Sequence, residues 1–515
     1  MGPLASATAI DPEQRVARIL SIDEGTTGVR GVIVDETGQP LGSGYREFTQ
    51  HFPRPGWVEH DADEIWDATV AACGEALTST GTAASDIVCV GITNQRETTV
   101  VWDRERDEPI HHAIVWQDRR TAGACDALKS AGHGDRVRGT TGLVIDAYFS
   151  GTKVAWLLDN VEGGRSAAAD GRLAFGTMDT WLVWRLTGGR VHATEPSNAC
   201  RTMLYDIHAG RWSSTMQDLL EVPASVLPEV LDSSGEFGRI DPDAFLGIDA
   251  PITGIAGDQQ AALFGQGCWD PGMSKNTYGT GSFLLLNTGA SAADSTHGLL
   301  TSIGWQISGR TTYVLEGAIF VTGAAVQWLR DGLGIISSAA ETQALAEQVP
   351  PGNEGVYLVP AFVGLGAPHW DQYARGTIIG LTRGTGRAHF ARAALEAMAY
   401  QSVDVADLME RESGQDLSEL RVDGGASQND LLCQFQADVL GVPVERPKVQ
   451  ETTVMGAAYL AGLGAGVWSS TDELQDAWQL DARFEPSMDE TTRDRLLRGW
   501  REAVDRSKGW AHVVE

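Results

Sequence analysis

Three separate segments of this sequence place an aspartate within two residues of a glycine at the end of a short apolar run. They are residues 18–28, residues 251–265 and residues 420–429. Each apolar run predicts a buried strand, and the glycine-rich residues beside it predict a tight loop. Polar loops at the ends of buried strands commonly line a cleft in α/β proteins. The pattern therefore predicts two α/β domains that face each other, with ligand-binding loops supplied by both.

The first segment is predicted to open a β-meander, because further strand-like runs follow its loop directly. Strands are predicted over residues 18–23 and 29–35, with a third near 41–48. Residues 389–409 carry apolar side chains at helical spacing and predict a helix. Asn429 or Asp430 could cap a later helix. Further strands are predicted over residues 86–93, 114–116 and 356–362, and the segments 251–265, 275–286 and 420–429 each combine an apolar, strand-like run with a Gly turn.

The composition limits which classes of partner and which cellular compartment we expect for this protein. The net charge of −30 argues against a nucleic-acid backbone or an anionic membrane surface as the main partner, because both attract positive surface. No apolar run approaches the roughly 20 residues of a membrane span. The six cysteines include no C-x-x-C pair, so we expect reduced core residues of a cytoplasmic protein and no zinc site. Residues 1–17 are predicted to form a mobile N-terminal tail.

The loop after the first strand offers groups that suit a phosphate. Gly28 lets the backbone approach a ligand closely, and Thr26 and Thr27 offer hydroxyl and N–H groups. Arg30 adds a fork of donors, and Asp23 could hold Mg²⁺ through water. A plain hairpin turn with an aspartate cap explains the same residues equally well. There is no G-x-x-x-x-G-K-[ST] motif, so a P-loop enzyme is excluded.

Asp258 is the candidate general base for a hydroxyl group, because it follows a predicted strand and stands beside glycine. The alternative is a cap for the helix that begins near Gln259, and one carboxylate could do both. Elsewhere, Arg96 and Glu97 could bind neighbouring hydroxyls while Trp116 covers a carbon chain, which suits a small polyol. The alternative there is a surface ion pair and an ordinary core aromatic.

Several longer blocks occur together and in order. They are Y-F-S-G-T-K-V-A-W-L-L-D-N at 148–160, the segment 376–396 that begins G-T-I-I-G-L, and the blocks at 91–99, 113–121 and 254–265. On these motifs the chain resembles the FGGY carbohydrate kinases from about residue 18 to about residue 510. Within that family it is most similar to the members that phosphorylate glycerol.

The resemblance implies a fold and a reaction. The fold would be α/β, with two actin-like (ribonuclease-H-like) domains, each a mixed sheet flanked by helices, and the active site in the cleft between them. The domains would be residues 18–267 and 268–515. The reaction would be the Mg²⁺-dependent phosphorylation of glycerol by ATP to sn-glycerol 3-phosphate and ADP, in a cytoplasmic homo-oligomer (dimer or tetramer).

The resemblance also implies roles for individual residues. Asp258 matches the catalytic base. The glycerol ligands would be Arg96, Glu97, Tyr148, Asp258 and Gln259, with Trp116 and Phe283 as the apolar wall. The nucleotide contacts would be Thr26, Thr27, Gly28, Arg30, Thr280, Gly323, Gln327, Gly425 and Asn429. Asp23 and Asp258 would lie at the metal.

One segment departs from the family and three other functions remain open. Some bacterial members bind fructose 1,6-bisphosphate at a Gly-Gly-x-Gly-Gly-x-Arg loop, whereas residues 240–249 are acidic here and lack that arginine. We therefore expect weak inhibition or none by that effector.

The alternatives are a kinase for another polyol or ketose such as xylulose, a non-catalytic sensor, and a chaperone-type ATPase. The intact Arg96, Glu97, Trp116 and Asp258 argue against the first two, and the short C-terminal segment argues against the third.

Overall fold

The computed structural model describes residues 17–514. Thirteen strands within this range form one mixed sheet. The predicted N-terminal tail lies, apart from Ala17, outside the described residues. The strands of this sheet are β1 (Arg18–Glu24), β2 (Gly28–Asp35), β3 (Pro40–Glu47), β4 (Ile87–Asn94), β5 (Ser234–Arg239), β6 (Pro251–Gly257), β7 (Ser274–Tyr278), β8 (Ser282–Gly289), β9 (Leu300–Ile307), β10 (Arg310–Ile319), β11 (Leu420–Asp423), β12 (Val444–Pro447) and β13 (Leu480–Phe484).

Sixteen α-helices lie in the described part of the chain, and some of them pack on the two faces of this sheet. They are α1 (Ala62–Thr80), α2 (Ala122–Ser130), α3 (Gly134–Thr141), α4 (Ser150–Asn160), α5 (Gly164–Ala169), α6 (Met178–Leu186), α7 (Pro196–Ala199), α8 (Ser214–Leu220), α9 (Asp258–Gly265), α10 (Gly323–Gln327), α11 (Glu341–Ala346), α12 (Arg387–Ser413), α13 (Asp430–Leu440), α14 (Thr452–Gly464), α15 (Glu490–Ser507) and α16 (Ala511–Val514). None of the helices within residues 17–514 has an apolar stretch long enough to cross a bilayer.

The two halves of the sheet repeat one strand order. The first half contains β3-β2-β1-β4-β6 and the second contains β10-β8-β7-β11-β12. In each half, three neighbouring strands are antiparallel. Two strands from later in the sequence extend the sheet in parallel from one edge of these three. One residue pair, Ser234 with Ile307, joins β5 to β9 and so joins the halves. The expectation of two similar α/β halves with mixed sheets is confirmed.

In strand β1, successive apolar side chains point to opposite faces of the sheet. Leu20 and Ile22 point into the core that contains α1, whereas Ile19 points into the core that contains α14. Helix α1 begins where the Asp61 carboxylate accepts two backbone N–H groups, and it ends at Gly81 in the left-handed conformation. The sheet is therefore covered on both faces, as its apolar runs require.

Helix α14 belongs to the second half of the sequence but packs on the sheet of the first half. Hydroxyl groups of the sheet donate to its backbone: Ser21 Oγ lies 2.6 Å from the Val454 carbonyl, and Thr253 Oγ1 lies 2.8 Å from the Ala461 carbonyl. A Cβ at Gly456 would collide with the backbone of α9. This close approach fixes α14 against α9, whose first residue is Asp258.

Most predicted elements are present, and two are shorter than expected. The strand predicted over 356–362 ends at Val359, because Pro360 has no N–H to continue the ladder. The strand predicted over 114–116 covers only Ala113–Ile114, since the chain turns immediately and the Asp118 N–H donates to the Val115 carbonyl. The six cysteines are buried and free, as expected.

We predict that Gly456→Ala destabilises the protein although alanine favours helices. The added methyl group would push α14 away from α9, and overpacking of this kind costs about 1–3 kcal/mol. The matched control is Gly139→Ala in α3, where an added Cβ meets nothing within 4 Å and should stabilise the helix by about 0.5–1 kcal/mol. Thermal unfolding of both variants gives the comparison, and equal melting temperatures would contradict it.

Candidate active site

In the first half of the sheet, three parallel strands end in register with one another. Glu24 of β1 pairs with Asn94 of β4, which also pairs with Gly257 of β6. The residues that follow these three strands therefore leave the sheet at one edge. They are the first glycine loop, the segment Gln95–Arg96–Glu97 and the start of α9 at Asp258.

Asp258 is held at this edge while part of its carboxylate stays accessible. Its Oδ1 lies 3.1 Å from Nε of Arg96 and accepts the Gln259 backbone N–H at 2.7 Å. The Arg96 side chain is 2% exposed, whereas that of Asp258 is 32% exposed. Asp258 is the first residue of α9, and Gly257 occupies the cap position. The carboxylate thus supports the start of the helix and remains open to a ligand.

Arg96 belongs to a buried group of four charged side chains. Glu316 of β10 accepts from Arg96 Nη1 at 2.5 Å and from Arg201 Nη2 at 3.2 Å, and Arg201 Nε donates to Glu97 Oε1 at 2.5 Å. All four side chains are almost fully buried. Burial by itself would raise the pKa of Glu316, but Arg201 and Arg96 lower it to about 2. The carboxylate of Glu316 is therefore ionised at neutral pH and joins the two halves of the sheet.

The sequence analysis missed Arg201 and Glu316. Glu316 had a weak signal, since it is a charged residue inside the apolar part of a strand, next to Val314 and Leu315. Arg201 lies in a short 3₁₀ turn after α7 and had no local signal.

Aromatic side chains stand beside the charged group. The rings of Trp116 and Tyr148 meet edge to face with centroids 5.6 Å apart, and the Arg201 guanidinium lies 5.5 Å from the centre of the Tyr148 ring. Trp116 Nε1 donates to Thr26 Oγ1 at 3.0 Å, which connects this wall to the first glycine loop. Phe283 is partly buried on β8, in the second half of the sheet.

Gln259 is oriented by a buried lysine that the sequence analysis also missed. Lys275 Nζ donates to Gln259 Oε1 at 2.5 Å and to Thr277 Oγ1 at 2.8 Å, and its side chain has no exposed surface. Burial lowers the pKa of Lys275 to about 8. Because Lys275 occupies the amide oxygen, the Gln259 Nε2 group is the one directed at Asp258, 3.3 Å from Oδ2.

The first glycine loop is a tight turn between β1 and β2. It is closed by the Gly25 N–H, which donates to the Gly28 carbonyl at 3.0 Å. Thr27 is exposed, and Thr26 is held through its hydroxyl group and through its carbonyl, which accepts from Gln50 Nε2 at 2.9 Å. Arg30 Nη1 lies 3.6 Å from Glu451, just before α14.

Each of the two residues predicted to lie at a metal, Asp23 and Asp258, has an arginine nearby, Arg30 and Arg96 respectively. Burial, followed by repulsion from Asp258, raises the pKa of Asp23 to about 7, although Arg30 opposes the shift. Within the described part of the chain no cluster of three or more His, Cys, Asp or Glu side chains could cage an ion. Mg²⁺ commonly binds through one or two carboxylates, with water and phosphate oxygens as the other ligands. The pair Asp23 and Asp258 therefore fits Mg²⁺ better than a metal that needs a full protein cage.

The predicted nucleotide residues of the second half come partly together. The turn between β7 and β8 contains Thr280, whose carbonyl accepts the Ala324 N–H at 3.1 Å, and the Gly323 N–H donates to the Gly279 carbonyl at 3.1 Å. A Cβ at Gly424, which precedes Gly425, would collide with the backbone of Tyr278. Thr280, Gly323 and Gly425 thus lie on adjoining turns. Asn429 caps α13 as predicted, and Gln327 is exposed at the end of α10.

Comparison with known proteins places this chain in one family. Family models described as the FGGY family of carbohydrate kinases match residues 18–265 for the N-terminal domain and 274–465 for the C-terminal domain. The chain therefore belongs to the FGGY family of carbohydrate kinases.

Curated relatives and a solved structure extend over nearly the whole chain. A glycerol kinase of Dechloromonas aromatica is 59% identical, and one of Deinococcus radiodurans is 58% identical, each over 96% of this chain and 98% of the relative. The crystal structure of Plasmodium falciparum glycerol kinase with ADP is 36% identical, with a TM-score of 0.90 over 96% of this chain and 98% of that chain. A gluconate kinase of Lactobacillus acidophilus, 21% identical with a TM-score of 0.85 over 95% of this chain and 98% of that one, shares the fold.

We predict that Glu316→Gln strongly destabilises the protein. The substitution leaves Arg96 and Arg201 buried with too little opposing charge, and breaking a buried pair in this way costs about 3–5 kcal/mol. The control is Glu36→Gln, which removes the exposed pair with Arg18 and should change stability by less than about 1 kcal/mol. Denaturant unfolding measures both, and a similar small change in the two variants would contradict a central role for Glu316.

Proposed function

We propose that this protein transfers the terminal phosphoryl group of ATP to glycerol, giving sn-glycerol 3-phosphate and ADP. The observation that carries the proposal is the position of Asp258, an accessible carboxylate that Arg96 holds where the two halves of the sheet meet. Similarity to curated glycerol kinases over 96% of the chain supports the choice of acceptor. Similarity to a glycerol kinase solved with ADP supports the choice of nucleotide.

On the acceptor side, we assign the hydroxyl groups of glycerol to four polar side chains. Arg96 and Gln259 would donate, Glu97 would accept, and Tyr148 would do either. Trp116 and Phe283 would cover the carbon chain. Asp258 would accept the proton of the attacking hydroxyl as the new oxygen–phosphorus bond forms. An analogue that lacks a hydroxyl group would leave a buried polar side chain unpaired, and this favours glycerol over apolar analogues.

On the nucleotide side, we assign the phosphates to the two glycine turns. Thr26, Thr27, Gly28 and Arg30 form the turn of the first half. In the second half, Thr280, Gly323 and Gly425 on adjoining turns would contact the nucleotide, together with Gln327 at the end of α10 and Asn429 before α13. Phosphoryl transfer depends mainly on positioning and charge neutralisation, which backbone N–H groups on tight turns can supply. Closure of the two halves over both substrates would keep water from replacing glycerol as the acceptor.

We assign Mg²⁺ to Asp23 and Asp258, because the repulsion between these two carboxylates would favour binding of a divalent cation. When bound, the ion would neutralise charge on the transferring phosphoryl group. Asp23 would hold the ion, through water or directly, while Asp258 keeps one oxygen directed at the acceptor. The proposal further includes two domains divided after residue 267, a cytoplasmic location and a homo-oligomeric state.

The proposed reaction is tested by ADP release from the purified protein with Mg·ATP and either glycerol, xylulose, erythritol or no acceptor. We expect strong turnover with glycerol alone. Asp258→Asn should lower that turnover by about 10²–10⁴-fold, because the hydroxyl then loses its base. The control is Asp126→Asn on α2, whose side chain is 77% exposed and whose removal should leave the rate unchanged.

Each outcome decides one part of the proposal. Faster turnover with xylulose than with glycerol would show that the acceptor is wrong. Glycerol turnover that survives Asp258→Asn would show that the base is wrong. Binding of glycerol without ADP release above background would favour a sensor.

We also predict that fructose 1,6-bisphosphate inhibits the enzyme weakly or not at all. The segment 240–249 carries Asp241, Asp243 and Asp249, and the two nearby arginines are already paired: Arg190 lies 2.6 Å from Asp241, and Arg239 bonds to Asp249. A bisphosphate would meet net negative charge there. Initial rates with and without millimolar effector check this, with a relative that carries the Gly-Gly-x-Gly-Gly-x-Arg loop as the positive control.

A further inference from the structure

Glu97 has a backbone conformation that its residue type disfavours. Its φ is 62°, in the left-handed region that mainly glycine adopts. The Thr98 N–H donates to the Arg96 carbonyl at 2.8 Å, so Glu97 is the central residue of a three-residue turn. Turns of this kind with positive φ are rare and strained. Strain persists at a functional residue only where the surrounding structure holds it in place.

Three side chains hold this turn through the carbonyl of Glu97. The carbonyl accepts from Thr99 Oγ1 at 3.0 Å, from Ser150 Oγ at 3.0 Å and from Lys153 Nζ at 3.4 Å. Ser150 and Lys153 lie on the first turn of α4, and both are fully buried. A carbonyl oxygen usually accepts one or two hydrogen bonds, so three donors on one oxygen restrain it strongly.

Lys153 also restrains a second residue of the candidate site. Its Nζ donates to the Tyr148 carbonyl at 2.7 Å, so one ammonium group joins the backbones of Tyr148 and Glu97. Nothing in the proposed reaction assigns a chemical task to Lys153. Its side chain is nevertheless fully buried, and an ammonium group is expensive to bury without a compensating role.

The contacts of Lys153 do not depend on its charge. Burial lowers the pKa of Lys153 to about 7, while Glu97, Asp118 and Asp146 oppose that shift and Arg119 adds to it. The neutral amine keeps two N–H groups, which is enough for both carbonyls.

We infer that Lys153, together with Ser150, is a positioning residue for the acceptor site, because it holds the turn at Glu97 and the backbone of Tyr148 in one arrangement. It does not touch the substrate itself. This inference rests on the proposed function, since it takes Glu97 and Tyr148 as ligands of glycerol.

The test compares the KM for glycerol with the KM for ATP in Lys153→Met, Ser150→Ala and wild type. Methionine has a similar length and no donor. We expect Lys153→Met to raise the KM for glycerol about tenfold, the size of effect that follows from the loss of one or two hydrogen bonds. Ser150→Ala should raise it about threefold, and both variants should keep the KM for ATP within about twofold of wild type.

The matched control is Thr152→Val on the same turn of α4. Thr152 is buried and donates to Thr121 Oγ1 at 2.9 Å, away from Glu97, so its loss perturbs the helix without releasing the turn. The KM for glycerol should stay near the wild-type value. A rise equal to that of Lys153→Met would mean a merely structural role and would overturn the inference.

The remaining outcomes also decide whether Lys153 has a positioning role. An unchanged KM for glycerol in Lys153→Met, or an equal rise for both substrates, overturns the inference. If Lys153→Met does not fold, Ser150→Ala decides by the same criterion. If the wild-type protein does not phosphorylate glycerol, the proposed function fails first, and glycerol affinity measured by calorimetry in the same variants then tests the positioning role separately.

Discussion

Glu316 brings together groups that lie far apart in the sequence. It stands on β10 in the second half, and both of its partners, Arg96 and Arg201, come from the first half. Burying these charges costs solvation energy that their attraction only partly returns, so the group is weak evidence for stability. It acts instead as a geometric constraint. With its other nitrogens bound to Glu316 and Gln260, Arg96 can direct Nε at Asp258 in only one way.

Rigid elements supply the rest of that precision. The ends of β1, β4 and β6 lie in register, and α14 packs closely enough on the sheet and on α9 that a glycine is required at Gly456. Sites built on strands and helices hold their geometry better than sites on loops. The strained turn at Glu97 is compatible with this frame because α4 restrains it from the other side.

Signals that act within a few residues were readable in the sequence. The glycine turns, the strands before them and the Asn429 cap follow from backbone preferences, and Pro360 ends a strand for the same local reason. The motifs of the block 148–160 pointed correctly to the family. Arg201 and Lys275 were missed, because their importance comes from partners that sequence spacing does not reveal.

The sequence by itself therefore determined the class of fold and the places of the glycine turns, whereas phosphate binding by those turns and the role of Asp258 as the base stay predictions. It did so because apolar periodicity and glycine turns are local properties of the chain. The tertiary structure decided which charged side chains surround that base. Arg96 and Glu316 are 220 residues apart, and Arg201 and Glu97 are 104 residues apart. No local pattern encodes such pairs, since the first forms only when the two halves of the sheet meet and the second only when distant segments of the first half fold together.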